Sequence, residues 1–455
     1  MEMATKPAPE KGQLSRVLGF RDLAFLIIGT VIGSGIFLVP GAVLRPVGNS
    51  VPLAMLVWLT GGVLSLLGAL TYGELSAMKP QAGGLYIYIR DCFGPFLAFL
   101  FGWTLFFVIS AGSIATLAVA FSSYLGEFIP LSSGLAKLVS VLMIAVIAVV
   151  NVHGTRGSAD LQNVTTAIKV VAILLMGAVL IWMGKGFSAA PATAQSLSLA
   201  QYASGFGLGM ISVLWAYEGW QYATFSAGET LNPQRNFPLA FLVGSAALVG
   251  IYLFANFAYL AAIGPAGVAS SNRVAATAVS LVIGPLAAKF VALAILVSMF
   301  SAANSIMLTA PRVFYAMAKD GLFFARLSEV HPRFGTPAFA IIAAATWSAI
   351  LAASGTFEQL LTYVVFVGWI FYALAAACVF VYRKRVPDAE RPYKVPGYPV
   401  TPLIFIFAAV ALVANTIVMQ PGRAAVGLGI VLVGAPAYLI WNKKRSRPSL
   451  GVPVK

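Results

Sequence analysis

The chain has 455 residues, of which 60% are hydrophobic and only 9% are charged. This composition excludes a soluble globular domain, because many apolar runs are longer than the roughly 18 residues that mark a membrane-spanning helix. The formal net charge of +15 does not indicate a nucleic-acid partner, because the positive residues fall in short loops at alternate helix ends. We therefore predict a polytopic membrane protein of the all-α class.

Twelve spans are predicted within one membrane domain of residues 22–441. Gly, Pro and charged residues separate the apolar runs. The spans cover residues 22–44, 52–77, 96–123, 134–152, 162–184, 205–226, 238–262, 286–318, 338–353, 357–382, 400–419 and 424–441. The connection 263–285 is expected to hold a short helix. Residues 1–21 and 442–455 form polar tails, which an even number of spans places on the same side.

The distribution of Lys and Arg predicts the orientation, since cytoplasmic loops carry an excess of these residues. The side of the tails holds most of them, including the clusters at 383–385 and 443–445. The opposite side holds Arg45, Lys137, Lys185, Arg273, Lys289 and Arg423. Both termini are therefore expected in the cytoplasm. The N-terminal tail has no apolar core or cleavage site that would mark a signal peptide.

The first span contains a predicted break in the run IIGTVIGSGIF, residues 27–37. An interior Gly costs roughly 1 kcal/mol relative to Ala in a helix, so Gly33, Ser34 and Gly35 are expected to interrupt it. The freed backbone groups must be covered by protein or by a polar cavity. The N–H groups that begin the following half-helix form a site for an anion such as a carboxylate. The alternative is a close contact between helices through small residues.

A second predicted break lies in the sixth span, at Glu218 and Gly219. Interrupted helices at corresponding positions of two halves are typical of an inverted repeat with a binding site near the membrane midplane. We predict a first repeat over residues 22–184 and a second over 205–382. Two extra helices follow over 400–441.

Two ionisable residues, Lys169 and Glu218, lie well inside the apolar spans. Charges inside a membrane are costly, so each is a candidate functional residue. For Lys169 the alternative is a side chain that extends to the membrane interface. For Glu218 the alternative is a protonated carboxyl bonded to a neighbouring helix. Asn304 in span eight is expected to join helices by hydrogen bonds.

No metal site or cofactor is predicted. His153 and His331 are far apart in the sequence and have no nearby Cys or Asp partners. Cys92 and Cys378 both fall on the predicted cytoplasmic side, where a disulfide is not expected. No Ser–His–Asp or paired-carboxylate arrangement indicates an enzyme.

Six segments, in order along the chain, resemble the amino acid–polyamine–organocation superfamily. They are GTVIGSGIF, YGELSAMKPQAGGLYIYI, NVHGTRGSADLQNVTTAIK, AGETLNPQRNFPLA, PRVFYAMAKDGLF with HPRFGTPAFA, and PDAERPYKVPGYPVTP. Within the superfamily, WAYEGW and a lysine in span five are most similar to the L-type amino acid transporters, including their bacterial serine/threonine exchangers. The resemblance implies the inverted-repeat fold of the sodium-coupled leucine transporter.

The resemblance also implies roles for individual residues. The carbonyl of Val31 and those near Trp215 and Glu218 would hold a substrate ammonium group, and the N–H groups of Ser34 and Gly35 would hold its carboxylate. The ammonium group of Lys169 would replace a sodium ion between spans one and eight. The full predicted set of substrate-binding residues is Val31, Gly33, Ser34, Gly35, Ile36, Ser113, Trp215, Tyr217, Glu218, Gln221, Phe366 and Trp369. Among these, Trp215 matches an aromatic gate above the substrate.

The expected function is secondary transport of small or medium neutral L-amino acids across a plasma membrane, the inner membrane of a bacterium, by sodium-independent exchange or with protons. Two alternatives stay open. Glu218 would favour cationic amino acids or polyamines if it is ionised, and a channel is a second class, although no ring of repeated polar residues lines any span. No obligatory partner subunit is expected, because neither Cys92 nor Cys378 is placed like the external cysteine through which the eukaryotic L-type relatives pair.

Overall fold

The computed structural model describes residues 14–126, 128–186, 197–354, 357–419 and 421–445. Over these residues the regular secondary structure is helical, apart from one isolated parallel β-bridge between Leu18 and Thr230. In chain order the α-helices are α1 (Phe20–Val31), α2 (Gly35–Leu38), α3 (Pro40–Leu44), α4 (Val51–Met78), α5 (Leu85–Phe93), α6 (Pro95–Thr104), α7 (Ser110–Leu125), α8 (Ser133–Val152), α9 (Thr155–Met183), α10 (Leu199–Ala216), α11 (Pro233–Ser270), α12 (Val274–Val282), α13 (Pro285–Thr309), α14 (Pro311–Lys319), α15 (Ala338–Ser354), α16 (Phe357–Arg385), α17 (Val400–Met419) and α18 (Pro421–Arg445). A π-helix, Leu105–Ile109, joins α6 to α7, and 3-10 helices cover Trp220–Glu229 and Ala325–Ser328.

The twelve predicted spans are confirmed. Eleven helical stretches in the described part of the chain are long and apolar enough to cross a membrane. The remaining span corresponds to α15, a shorter apolar helix of 17 residues. The short helix predicted in the connection 263–285 is α12. The division into a first and a second repeat stays a prediction.

Three features differ from the predicted spans. α11 continues to Ser270, past the predicted end at 262, and it does so across a kink at Gly264. The φ of Gly264 is 67°, a left-handed value that glycine adopts without strain, and Pro265 follows it. Span eight divides at Ala310 into α13 and α14, because Pro311 cannot donate the next helical hydrogen bond. The nine-residue helix α5 was not predicted as a separate element.

Helix starts follow from local sequence. Seven helices (α3, α4, α6, α11, α13, α14 and α18) have Pro at their first or second position, where a missing N–H costs nothing. At the start of α1, the carboxylate of Asp22 accepts a 2.8 Å hydrogen bond from the N–H of Gly19. At the start of α10, Ser198 and Gln201 form a reciprocal capping box.

The tail end of the bundle, meaning the end at which α1 begins, is tied together by ion pairs. The Arg156 guanidinium on α9 lies 2.9 Å from the carboxylate of Asp22. Arg312 and Glu229 form a fully buried pair 2.5 Å apart. The N-terminal segment joins this region, because the N–H groups of Val17 and Leu18 donate to the carbonyl of Glu229 over 2.9 and 3.0 Å.

Helix α1 lies in the centre of the bundle. It packs against α9, α11 and α13, and it also contacts the 3-10 helix Trp220–Glu229 that continues span six. The two interrupted spans therefore lie side by side, surrounded by long helices. This arrangement places both breaks in the protein interior, where protein can satisfy their backbone groups.

Candidate functional site

The predicted break in span one is confirmed. α1 ends at Val31, and Ile32 leaves the helical region with φ −74° and ψ 86°. Helical geometry resumes at Gly35. Among the described residues, no backbone carbonyl accepts from the N–H of Ser34 or Gly35. Two backbone donors therefore stay available at the break for an anionic group.

Side chains from two other spans satisfy the carbonyl oxygens that the break exposes. The Nζ atom of Lys169 on α9 donates to the carbonyls of Gly29 at 2.5 Å and Ile32 at 2.8 Å. The hydroxyl of Ser298 on α13 lies 2.8 Å from the same Ile32 oxygen and 3.1 Å from that of Gly33. Lys169 is only 1% exposed. The alternative in which its side chain extends to the interface is therefore wrong.

The break in span six is also confirmed. α10 ends at Ala216, and Gly219 has a φ of 129°, which disfavours any side chain. A Cβ at Gly219 would also lie 2.9 Å from the Thr30 side chain, so the two breaks touch. The hydroxyl of Tyr252 on α11 lies 3.0 Å from the carbonyl of Val31 and 3.0 Å from that of Ala216. One tyrosine thus holds the two interrupted helices together.

A cavity of about 90 Å³ lies between the two breaks. It is lined by Thr30, Val31, Gly33, Ser34, Gly35, Ser113, Thr116, Leu117, Trp215, Ala216, Glu218, Gly219, Tyr222, Ala302 and Ile306. Among these lining residues Glu218 carries the one carboxylate, and none is a Lys or Arg. The cavity therefore combines available backbone donors at the first break with one acid at the second.

The predicted site residues divide into two groups. Those that line the cavity are Val31, Gly33, Ser34, Gly35, Ser113, Trp215 and Glu218. Four others, Ile36, Tyr217, Gln221 and Trp369, are buried and lie outside the lining. The side chain of Phe366 lies outside the described residues.

Two residues of the second group support the break in span six. The Tyr217 ring packs against the rings of Trp58 and Tyr252, with centroids 6.0 and 4.8 Å away. The side-chain oxygen of Gln221 accepts a 3.0 Å hydrogen bond from the N–H of Gly219. The Gln221 side chain therefore holds the backbone of the break, the Tyr217 ring packs beside it, and neither residue is part of the cavity wall.

The carbonyl of Val31 is already hydrogen-bonded. It accepts from the N–H of Gly33 over 2.8 Å and from the Tyr252 hydroxyl. A carbonyl oxygen has two lone pairs, so this acceptor is fully used. The Glu218 carboxylate is then the strongest acceptor that faces the cavity.

Glu218 has one hydrogen-bond partner from another span. The hydroxyl of Tyr372 on α16 donates to its Oε1 over 2.9 Å. The backbone carbonyl of Tyr372 in turn accepts from the hydroxyl of Tyr72 on α4, over 2.8 Å. The ring of Trp369 lies 5.9 Å from that of Tyr372. Span ten thus contacts the carboxylate of the cavity through Tyr372, which was not among the predicted residues.

Several lining residues were also absent from the predicted set. Thr30, Thr116, Tyr222, Ala302 and Ile306 come from four different helical segments. Thr30 lies one turn before the break, and this proximity was a usable signal. The hydroxyl of Thr116 is buried and has no partner among the described residues. Ala302 and Ile306 are ordinary apolar residues, and no sequence pattern distinguishes them.

Asn304 joins helices as expected. Its side-chain nitrogen donates to Gln162 on α9 over 3.0 Å, and its oxygen accepts from Asn151 on α8 over 2.9 Å. Gln162 also donates to Ser301 over 3.0 Å. A buried polar network therefore fixes α8, α9 and α13 beside the first break.

Two broken helices that enclose a small cavity inside a twelve-span bundle define the architecture of a membrane transport protein. The sequence profile described as "Amino acid permease" matches residues 18–435. The chain belongs to this family, and its predicted membership of the amino acid–polyamine–organocation superfamily is confirmed.

Curated relatives match along almost the whole chain. The serine/threonine exchanger SteT of Bacillus subtilis is 31% identical over 96% of this chain and 99% of its own length. The human cystine/glutamate transporter is 33% identical over 96% of this chain and 88% of its own length. The large neutral amino acids transporter small subunit 2 of Rattus norvegicus is 30% identical over 95% of this chain and 82% of its own length.

Proposed function

We propose that the protein is a secondary transporter of small or medium neutral L-amino acids, working by sodium-independent exchange or with protons. The names of its relatives, which include an exchanger and several amino acid transporters, support amino acids as the substrate class. Membership of a permease family favours carrier-mediated transport over a channel and over an enzyme.

The observation that carries the proposal is the pairing of opposite groups across one cavity. The N–H groups of Ser34 and Gly35 suit the α-carboxylate of an amino acid, because a half-helix start carries partial positive charge. The Glu218 carboxylate suits the α-ammonium group, since the carbonyl of Val31 is already occupied. A zwitterion uses both ends of this site at once.

The size of the cavity supports a small side chain. Its volume of about 90 Å³ is far below the roughly 300–1,000 Å³ of pockets that hold drug-sized ligands. Trp215, Tyr222 and Ile306 occupy much of the wall. Serine, threonine and alanine are therefore better candidates than large aromatic amino acids.

Sodium independence is proposed from Lys169. Its Nζ donates to the carbonyls of Gly29 and Ile32, and these are the oxygen ligands that a sodium ion at this break would need. A second cation there would meet strong repulsion in a low-dielectric interior. We propose that the Lys169 ammonium permanently neutralises these carbonyl oxygens, as a bound ion does in sodium-coupled relatives.

A second candidate is a carrier of cationic amino acids or polyamines. The observation that favours it is the Glu218 carboxylate, which faces the cavity and has no ion-pair partner among the described residues. An ionised Glu218 would balance an extra positive charge on the substrate. The small cavity argues against the long side chains that such substrates carry.

The proposed location is the inner membrane of a bacterium, with both termini in the cytoplasm. The excess of Lys and Arg in the loops at the tail end supports this orientation. No obligatory partner subunit is proposed. Cys92 and Cys378 are both buried free thiols, so neither is placed to form a bond to another chain.

The proposal is tested with purified protein in vesicles that contain unlabelled serine, alanine or leucine. We expect saturable uptake of labelled serine that internal substrate accelerates. Competition by all twenty amino acids and by putrescine identifies the substrate. Stronger competition by arginine or putrescine than by serine, alanine and leucine would select the second candidate, and uptake that does not saturate would reject both.

A further inference from the structure

A second cavity, of about 330 Å³, lies at the tail end, away from the site between the two breaks. The N-terminal segment forms one wall through Arg16, and the loop before α5 forms another through Gln81. Arg90 on α5 and Lys319 at the end of α14 complete the polar lining, together with Asp320. Nothing in the transport mechanism proposed above uses this cavity.

The carboxylates nearest this cavity are already neutralised. Arg90 lies 2.7 Å from Asp320 and 2.9 Å from Asp91, so it bridges the two. Lys79 also lies 3.9 Å from Asp91. The hydroxyl of Tyr86 donates to Asp320 over 2.8 Å. Two cations and two anions therefore balance within this cluster.

Arg16 and Lys319 line the same cavity, and both side chains are exposed. No carboxylate of the described residues lies within ion-pair distance of either side chain. The ammonium group of Lys319 lies over the face of the Tyr315 ring, 5.1 Å from its centroid. The dipole at the end of α14 offsets about half a charge. Counted over the described residues, the cavity therefore keeps a surplus of more than one positive charge.

We propose that this cavity binds a phosphate group. A phosphate group carries one negative charge in a lipid phosphodiester and nearly two in a phosphomonoester. In both forms its several acceptor oxygens suit the donors of Arg16 and Lys319 better than a single carboxylate does. The guanidinium group of Arg16 suits phosphate by its planar fork of donors, and Lys319 supplies a point charge. The polar side chain of Gln81 adds a further hydrogen-bonding group to the wall.

The position of the cavity allows two sources for this phosphate. Lys and Arg residues gather in the loops at the tail end, and basic residues next to membrane spans attract anionic lipid headgroups. The phosphate is then either that of an anionic lipid or that of a soluble phosphorylated compound. In both cases it would join Arg16 to α14 beside the hydrogen bonds from Val17 and Leu18 to Glu229, and so stabilise this arrangement of the N-terminal segment.

The experiment measures the thermal unfolding midpoint of the full-length protein in two settings. The first is detergent with increasing pyrophosphate, at constant ionic strength. The second is nanodiscs of phosphatidylcholine with or without phosphatidylglycerol. If pyrophosphate raises the midpoint, the ligand is a soluble phosphate compound. If only phosphatidylglycerol raises the midpoint, the ligand is a lipid headgroup. If neither raises the midpoint, the proposal is wrong.

Matched variants separate this site from general effects of phosphate salts. The double variant Arg16→Gln/Lys319→Gln removes the two surplus charges, and we expect it to weaken the response at least about tenfold. The control Arg326→Gln/Arg333→Gln removes two exposed charges near the same end, outside the cavity, and should leave the response unchanged. Lys319→Arg should retain it. An equal loss in the test and control variants would overturn the proposal.

Discussion

Tyr372 donates a 2.9 Å hydrogen bond to the carboxylate of Glu218, and this bond joins span ten to the break in span six. The donor lies on α16, and the acceptor faces the cavity between the two breaks. Any change in the charge of Glu218 during transport therefore changes the strength of a hydrogen bond to span ten as well. The hydroxyl also limits the directions in which the carboxylate can point toward a substrate.

The first prediction follows from this bond. Glu218→Gln should lower the rate of serine uptake and flatten its dependence on external pH, because the titrating group is gone. Tyr372→Phe should lower uptake as well. The double variant should take up serine at nearly the same rate as the slower single variant, because the effects of substituting two residues that share one hydrogen bond do not add. Uptake rates of the four proteins across a pH series measure this, and additive losses would show that the bond has no role in transport.

The second prediction concerns the wall of the cavity at span one. A Cβ at Gly33 would meet only Leu117, 3.9 Å away, so Gly33→Val places its methyl groups in the cavity without disturbing packing. Uptake should be abolished while the unfolding midpoint changes little. Gly35→Val is a poorer test, because a Cβ at Gly35 would lie 3.0 Å from that of Ala216. Normal transport by the Gly33 variant would place the substrate elsewhere.

The third prediction is that the transport rate does not depend on sodium. Uptake should be unchanged when choline replaces sodium, because the Lys169 ammonium already occupies the carbonyl oxygens of span one. Lys169→Ala should cut uptake strongly, since α9 then loses its bonds to Gly29 and Ile32. The exposed Lys137→Ala serves as the control and should be neutral. A steep sodium dependence in the unaltered protein would contradict the assignment of Lys169.

The fourth prediction concerns the buried pair of Arg312 and Glu229. Both side chains are 0% exposed, and the Thr155 hydroxyl donates to the Glu229 carboxylate over 2.6 Å and accepts from the Arg312 guanidinium over 2.9 Å. Glu229→Gln leaves an uncompensated buried charge, which costs about 3–5 kcal/mol. Asp160→Asn breaks a pair at an exposed position, worth about 0–1 kcal/mol. The thermal unfolding midpoints of the two variants in detergent measure this difference. Equal midpoints for Glu229→Gln and Asp160→Asn would show that the buried pair is not needed for stability.

The sequence predicted the spans and both breaks because their causes are local. Apolar runs, proline starts and the cluster of glycines act within a few residues, so Gly33, Gly35 and Gly219 could be interpreted without a structure. The kink at Gly264 escaped prediction although Pro265 follows it. A single Gly–Pro pair in an apolar run does not say whether a helix ends or bends there.

The site was only partly predictable, because burial is decided by distant packing. Gln221 and Tyr217 lie within four residues of Glu218 in sequence, yet neither lines the cavity: Gln221 binds the backbone of the break, and Tyr217 packs against Tyr252. Tyr372 lies 154 residues from Glu218 and has no motif of its own. Arg16 and Lys319 are ordinary charged residues until the fold places them at one cavity.

The carbonyl of Ile32 has a consequence for how the protein is made. Its hydrogen-bond donors, Lys169 and Ser298, follow it in the chain by 137 and 266 residues. During synthesis the first span must therefore enter the membrane before either donor exists, and lipid offers this oxygen no partner. Newly inserted span one should stay beside water or the insertion machinery until span eight emerges. Accordingly, with Cys92 and Cys378 replaced by Ser, Ile32→Cys should react with a water-soluble thiol reagent in a nascent chain arrested before residue 298. In the finished protein, where Ile32 is fully buried, it should not react.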